Sequence, residues 1–311
     1  MIQELKKLNK IKRNLILMWI GCIIAWIILY YFAGFGNLIP DKFYSFSMIL
    51  SSVVLLILFP FLLWFYFLSQ IEKTFILYVL SIIKDWKLSI PRKATVRRAP
   101  WHIEVLPPQE FVFSSILPIY GNQFHLIDAF SAENTIQSKS IAQIQYANLS
   151  KGNNKPPYVA TLITIKNSKN LNSTTCFKTN NYPPKTNKDI IQEKSKIELP
   201  KIDLNNAKEN NIDVYTNNQN IAEKLATQEL FTALQNIKEH LNLPYVKAIF
   251  HNDYIIFVLR QKGYNYLNYS TFFIKIPLFK NIDYPLLEQA VNNFKTLTDL
   301  ANQAPEFTKN V

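Results

Sequence analysis

The sequence predicts a membrane-anchored α+β protein, in which an N-terminal two-helix transmembrane hairpin leads into a mainly antiparallel sheet domain with packed helices. Three observations carry this reading. Two uncharged apolar runs, 15–35 and 47–68, fill the start of the chain. Lys and Arg crowd the outer flanks of those runs and avoid the loop between them. Beyond residue 99, β-branched stretches come first and amphipathic helical stretches follow, the order expected of an α+β domain.

The overall composition agrees. The 311 residues are 49% hydrophobic and 18% charged, with a net charge of +12. The mean hydropathy of +0.00 is high for a wholly soluble chain. Six glycines exclude collagen and Gly-rich linkers. Two cysteines exclude a disulfide scaffold or a multi-Cys zinc module. Cys22 lies in an apolar run and Cys176 in the distal domain, so both are read as free thiols.

Residues 1–14 are a basic cytoplasmic N-terminus with Lys6, Lys7, Lys10, Lys12 and Arg13 against Glu4. The first run, 15–35, exceeds the roughly 18 uncharged residues that mark a spanning helix. A buried core helix is the alternative, and two such runs side by side disfavour it. A cleavable signal peptide is disfavoured too, because the apolar stretch is too long and no small-x-small site follows it. Residues 36–46 form an external loop holding only Asp41 and Lys42. The second run, 47–68, is a second span that Pro60 can kink. Gly21 and Ala25, and likewise Ser47 and Ser51, lie four apart, a spacing at which small residues let helices approach closely. The spans hold no charge, so nothing marks an ion path or proton relay.

Orientation follows from the flanks. Five Lys and Arg precede the first span, one lies between the spans, and seven follow in 69–98. The positive-inside rule then predicts a multi-pass protein of the bacterial inner membrane with both termini cytoplasmic. Nine of the twelve net charges sit at these flanks, so 99–311 carries only +3. The basic pI is therefore a topology and lipid signal, which argues against nucleic acid as a partner. Lys84, Trp86, Lys87, Arg92, Lys93, Arg97 and Arg98 join the N-terminal cations as expected lipid-contact residues.

Within 69–98 an apolar stripe (Ile71, Phe75, Tyr78, Val79, Ile82, Ile83, Trp86) predicts an amphipathic juxtamembrane helix. It either lies on the membrane or continues the second span as a stalk. Pro91 ends it, and a basic connector follows.

The cytoplasmic domain, 99–311, has expected strands near 124–127, 141–146, 158–165 and 174–178. A polar insertion with Pro183 and Pro184, expected to be flexible, covers 180–196. A helix over 219–242 breaks near Thr227, read as an N-cap. The stretches 245–250 and 254–259 flank His251-Asn252-Asp253 as a β-hairpin. A further strand is expected near 271–276, and Pro285 opens a final helix. The tail from Gln303 is expected to be loose.

Several stretches together resemble an uncharacterised bacterial family of membrane proteins, known only as a domain of unknown function. The carrying residues are Ile197-Glu198-Leu199, then Val214-Tyr215-Thr216-Asn217-Asn218-Gln219. Ala222, Leu225-Ala226-Thr227, Phe231 and Leu234 follow, then the hairpin, with the run 111–117 at the start of the domain. The resemblance spans most of the chain in architecture and about thirty residues in motif. It implies two spans, one cytoplasmic α+β domain and no known activity.

No catalytic, cofactor or metal site can be written from the sequence. His102, His125, His240 and His251 lack ligand spacing. The glycines form neither a P-loop nor a dinucleotide fingerprint. Cys176 has no neighbouring base in sequence and reads as a small buried hydrophobe. Glu198, Asp203, Glu209 and Asp213 are placed to pair with Lys196, Lys201 and Lys208. The expected function is a membrane-anchored module that binds a cytoplasmic or membrane protein, or lipid headgroups. The bilayer is its first partner, and self-association stays open. An enzyme with a pocket of dispersed residues is the alternative. A small pore subunit is a third and weaker reading, since only Ser47, Ser51 and Ser52 offer a polar span face.

Overall fold

The structure is a computed structural model that describes residues 2–35, 50–90, 123–132, 138–147, 158–180, 199–261 and 281–311. The chain forms two compact units. A helical unit comprises Met1–Ile82 and Lys275–Ala290, and a sheet unit comprises Ile83–Ile274 and Val291–Val311.

In the helical unit, α1 (Ile2–Phe35) is one uninterrupted helix. Its Lys6–Leu29 stretch is long and apolar enough to cross a membrane. Among the described residues it is the one helix that meets this test. The second apolar run is helical from residue 50, passes through a π-helical segment at Val54–Leu58, and continues as α2 (Phe59–Ile82). The π segment adjoins Pro60, which cannot donate to a carbonyl one turn back, so the wider turn falls where the ladder is already broken. The helix does not stop at residue 68: 69–82 prolongs it directly.

The two helices pack antiparallel. Lys12 Nζ sits 6.0 Å from the centre of the Phe67 ring. The Trp19 indole donates to the Leu55 carbonyl at 3.0 Å, and the Trp26 indole to Ser51 Oγ at 3.0 Å. Partner numbers thus fall as α1 numbers rise. The α1 seam is Leu8, Lys12, Leu15, Trp19, Cys22 and Trp26, spaced alternately by four and three, as in a heptad stripe. This corrects the small-residue expectation. Ser51 is at the interface, but as an acceptor for an indole. Gly21 and Ala25 are exposed, and a Cβ built on Gly21 would meet nothing within 4 Å. Gly21→Ala is therefore expected to be tolerated, raising thermal stability by up to about 1 kcal/mol through helix propensity. Thermal unfolding in detergent checks this, and a clear loss would restore close packing at that site. Ser47 lies outside the described residues.

The sheet unit contains nine described strands, all paired antiparallel: β1 (Trp86–Ile90), β2 (Gln123–Ala132), β3 (Lys139–Ala147), β4 (Tyr158–Lys166), β5 (Thr174–Thr179), β6 (Lys201–Ile202), β7 (Ile212–Thr216), β8 (Val246–His251) and β9 (Tyr254–Arg260). Their spatial order is β1-β2-β3-β4-β9-β8-β5-β7-β6. The antiparallel sheet domain with packed helices is thus present. The strands at 124–127, 141–146, 158–165 and 174–178 and the hairpin all appear, mostly longer than expected. The hairpin turns through Asn252 at φ 50, a conformation asparagine tolerates. The stretch 271–276, the insertion 181–196 and the run 111–117 lie outside the described residues.

One row of register partners crosses the whole sheet: Ile202, Val214, Phe177, Ala248, Phe257, Ile163, Ile141, Phe130 and Leu88. Helices cover this face. Phe177 meets Phe231 of α5 (Gln228–His240) and also Phe250, each at 6.0 Å between ring centres. Phe130 meets Phe294 of α6 (Tyr284–Gln303) at 5.0 Å. Asp283 caps α6 by accepting from the Leu286 N–H at 3.2 Å. Thr227 caps α5 as expected, accepting from the Leu230 N–H at 3.3 Å, a contact worth about 1 kcal/mol. It separates α5 from the short helix α4 (Gln219–Leu225), which follows α3 (Asn205–Glu209).

Two expectations are corrected in this unit. The juxtamembrane helix does not reach Trp86. It ends at Ile82, and Trp86-Lys87-Leu88-Ser89-Ile90 forms edge strand β1, paired with β2. The tail is not loose. Ala304–Thr308 forms a 3-10 turn, Phe307 meets Phe257 edge-on at 6.5 Å, and the Asn167 amide donates to Thr308 Oγ1 at 3.0 Å. Lys169 Nζ donates to the carbonyls of Thr308 and Lys309, which pins the last turn.

Candidate functional site

In the helical unit, the start of α1 forms a basic cleft of about 590 Å³. Lys6, Lys10 and Arg13 line it along one helix face, at spacings of four and three residues. Lys12 lines it from the side of the α1 seam. The Lys12 stem is buried and its ammonium approaches the Phe67 ring, which is typical of a long cation with a packed stem. Toward the apolar stretch the lining changes to Ile16 and Leu17, which are 40% and 58% exposed. Among the described residues, no carboxylate lines the cleft.

The opposite wall is Asn281. It is held there by its neighbour: Asn9 Nδ2 donates to the Ile282 carbonyl at 2.9 Å, and the Ile282 N–H donates to Asn9 Oδ1 at 2.9 Å. This reciprocal amide pair uses both polar groups of the Asn9 side chain. It joins positions 273 apart in sequence, so no spacing argument could have found it. Nearby in the same unit, burial raises the Tyr78 phenol above its ordinary range, with smaller contributions from the charge and hydroxyl of Tyr284 and from Glu288.

The structure thus gathers four of the expected lipid-contact residues, Lys6, Lys10, Lys12 and Arg13, into one cleft. Lys7 is exposed and does not line it. Lys84 and Lys87 are exposed in the sheet unit, Lys84 in a turn and Lys87 on β1. Trp86 leaves the set. It is 4% exposed and makes a T-shaped contact with Phe294 at 6.2 Å, so it is a core residue of the sheet unit and does not face headgroups. Arg92, Lys93, Arg97 and Arg98 lie outside the described residues.

A second polar cluster lies on the sheet face opposite α5. Lys201, Tyr215, Cys176 and Ile249 are register partners across β6, β7, β5 and β8. Lys201 Nζ pairs with Asp213 Oδ1 at 2.7 Å, and this hydrogen bond holds the ammonium above its ordinary range. Burial, then the Asp213 charge, raises the Tyr215 phenol. Lys178 and Lys247 flank the Tyr245 ring at 5.1 and 5.3 Å. Cys176 is fully buried and in no disulfide. A thiol sealed inside a sheet packs as a small hydrophobe and is not presented to a substrate. Of the predicted carboxylate pairings, Lys201 with Asp213 is formed.

Among the described residues behind the family resemblance, several serve the fold. Val214 is core. Thr216 Oγ1 bonds Thr175 Oγ1 at 2.8 Å, and Asn217 Oδ1 accepts from the Thr174 N–H at 2.9 Å. Asn218 caps Gln219–Leu225 through the Ile221 N–H. Among the described residues, no three His, Cys, Asp or Glu side chains stand together closely enough to hold a metal ion.

No family model matches the chain. No curated protein matches it either. Among solved structures, the chain is similar to the crystal structure of the mycobacterial trehalose monomycolate transport factor A, TtfA, at 8% identity and a TM-score of 0.34, over 74% of this chain and 93% of that one. A likeness that loose says nothing about fold or function.

Proposed function

We propose that this protein is a membrane-anchored interaction module of the two-span family that its sequence resembles. Its helical hairpin lies in the bacterial inner membrane with both termini cytoplasmic. It holds the α+β domain at the inner leaflet, where the domain meets a protein or lipid partner. The observation that carries this reading is the apolar surface of the hairpin. Large apolar side chains from Ile16 to Phe32 on α1, and from Leu50 to Tyr66 on its antiparallel partner, are exposed. So long an apolar surface on a water-soluble monomer would exceed the few hundred Å² usually tolerated. Below it the chemistry turns cationic within one helical turn, the order met at a cytoplasmic interface. Anchoring confines the domain to the membrane surface and raises its local concentration toward membrane-bound partners.

Topology reporters test the reading. A reporter active only in the cytoplasm, fused after Val311, is expected to be active. A tag in the 36–46 loop is expected to be labelled from outside in intact cells. An external C-terminus would reject the orientation and the partner class with it.

A further inference from the structure

We infer that the basic cleft at the foot of α1 is a binding site for the phosphate of an anionic phospholipid headgroup, drawn from the leaflet in which α1 begins. This deepens the membrane-anchored reading and rests on it. A general excess of Lys and Arg beside a span needs no cleft. Here Lys6, Lys10 and Arg13 share one helix face, Lys12 joins them, and Asn281 closes the other side. A volume of about 590 Å³ lies within the range of small-ligand sites.

Three features together point to a lipid phosphate: two favour an anion, and the third favours a lipid. The described lining carries four cations and two amides, with no carboxylate among them, which favours an anion. The Asn9–Ile282 pair fixes the wall, so the cations face a formed recess and not a moving tail. Ile16 and Leu17 make an exposed apolar lip on the side where the uncharged run begins. A free phosphate gains nothing from that lip. A diacyl lipid puts its phosphate among the cations and its first methylenes on Ile16 and Leu17, and each buried methylene adds favourable transfer energy.

The test uses the full chain in zwitterionic detergent, titrated separately with phosphatidylglycerol and with phosphatidylcholine, and read by native mass spectrometry. One saturable phosphatidylglycerol is expected, held well above phosphatidylcholine. Lys10→Gln and Arg13→Gln should each weaken it about fivefold, and together about thirtyfold. Asn9→Leu, which leaves the charge unchanged and unfastens the wall, should also weaken it. Lys208→Gln with Lys224→Gln, an equal charge loss on exposed helices of the sheet unit, should leave it unchanged. Inorganic phosphate should compete only weakly. Non-saturating binding, an equal loss in the Lys208/Lys224 variant, or full competition by inorganic phosphate would each overturn the site. Alkaline carbonate extraction of the same chain separates the two levels. Release from membranes rejects the anchored reading and the site together. Retention without saturable phosphatidylglycerol rejects the site alone.

Discussion

Phe294→Ala is expected to destabilise the sheet unit by about 3–5 kcal/mol, the usual cost of truncating a buried aromatic. Phe294 is fully buried, and its ring meets Phe130 at 5.0 Å and Trp86 at 6.2 Å, both edge-on. Edge-to-face pairs add about 0.5–1.5 kcal/mol beyond area burial. Phe294→Leu keeps most of the volume and should cost about 1.5 kcal/mol or less. Denaturant unfolding of the detergent-solubilised chain, followed by tryptophan emission, measures both. Trp86 packs on the mutated ring, so its emission should shift to the red in the native state of the alanine variant. An unchanged midpoint for Phe294→Ala would remove this cluster from the core. Trp86→Ala separates the two roles considered for that residue. A core residue changes the unfolding midpoint and leaves lipid retention alone, whereas an interfacial residue does the reverse.

Trp86 also shows where the sequence is legible and where it is not. The strand at 158–166 and the 246–260 hairpin announce themselves as short β-branched and aromatic apolar runs, and the helices after residue 219 as a sustained helical period. Strand β1 does not. Trp86-Lys87-Leu88-Ser89-Ile90 alternates with period two, but Trp86 also sits in phase with the helical stripe of Phe75, Val79 and Ile82. The helical period, being longer, masks the strand. The Lys84-Asp85 turn before it and Pro91 after it were the available signals. Strands β6 and β7 are two and five residues long, too short for a period to stand out.

The helix seam hid for a different reason. Small residues four apart suggest close packing, yet the α1 seam is built from Leu8, Lys12, Trp19 and Trp26, which do not look alike. Their common property is position, together with two indole donors that find acceptors on the facing helix. The cleft was half legible. Its cations are plain in the first fourteen residues, and their role as a charge flank follows at once. That four of them share a recess depends on a wall brought from residue 281, and only the fold supplies it.

The same α1 provides the sharpest test of the anchor. Ile24 and Ile28 are 52% and 50% exposed and lie near the middle of the first apolar run. In water, an exposed apolar side chain on a helix can be replaced by arginine within about 0.5 kcal/mol. At the centre of a bilayer each arginine costs about 2.5–3.5 kcal/mol on insertion scales. The double variant Ile24→Arg/Ile28→Arg therefore separates the two environments by about 5–7 kcal/mol, a factor on the order of ten thousand or more in partitioning. The expected result is loss of the chain from the carbonate-resistant membrane fraction. Helix content in detergent should persist, because both side chains can reach toward water there. The heptad seam faces away from both positions, so the contacts of Trp19 and Trp26 are left in place. A membrane fraction equal to wild type would show that α1 does not cross a bilayer. Its apolar face would then have to be covered by protein, and the cations at its foot could no longer be explained by the leaflet beneath them.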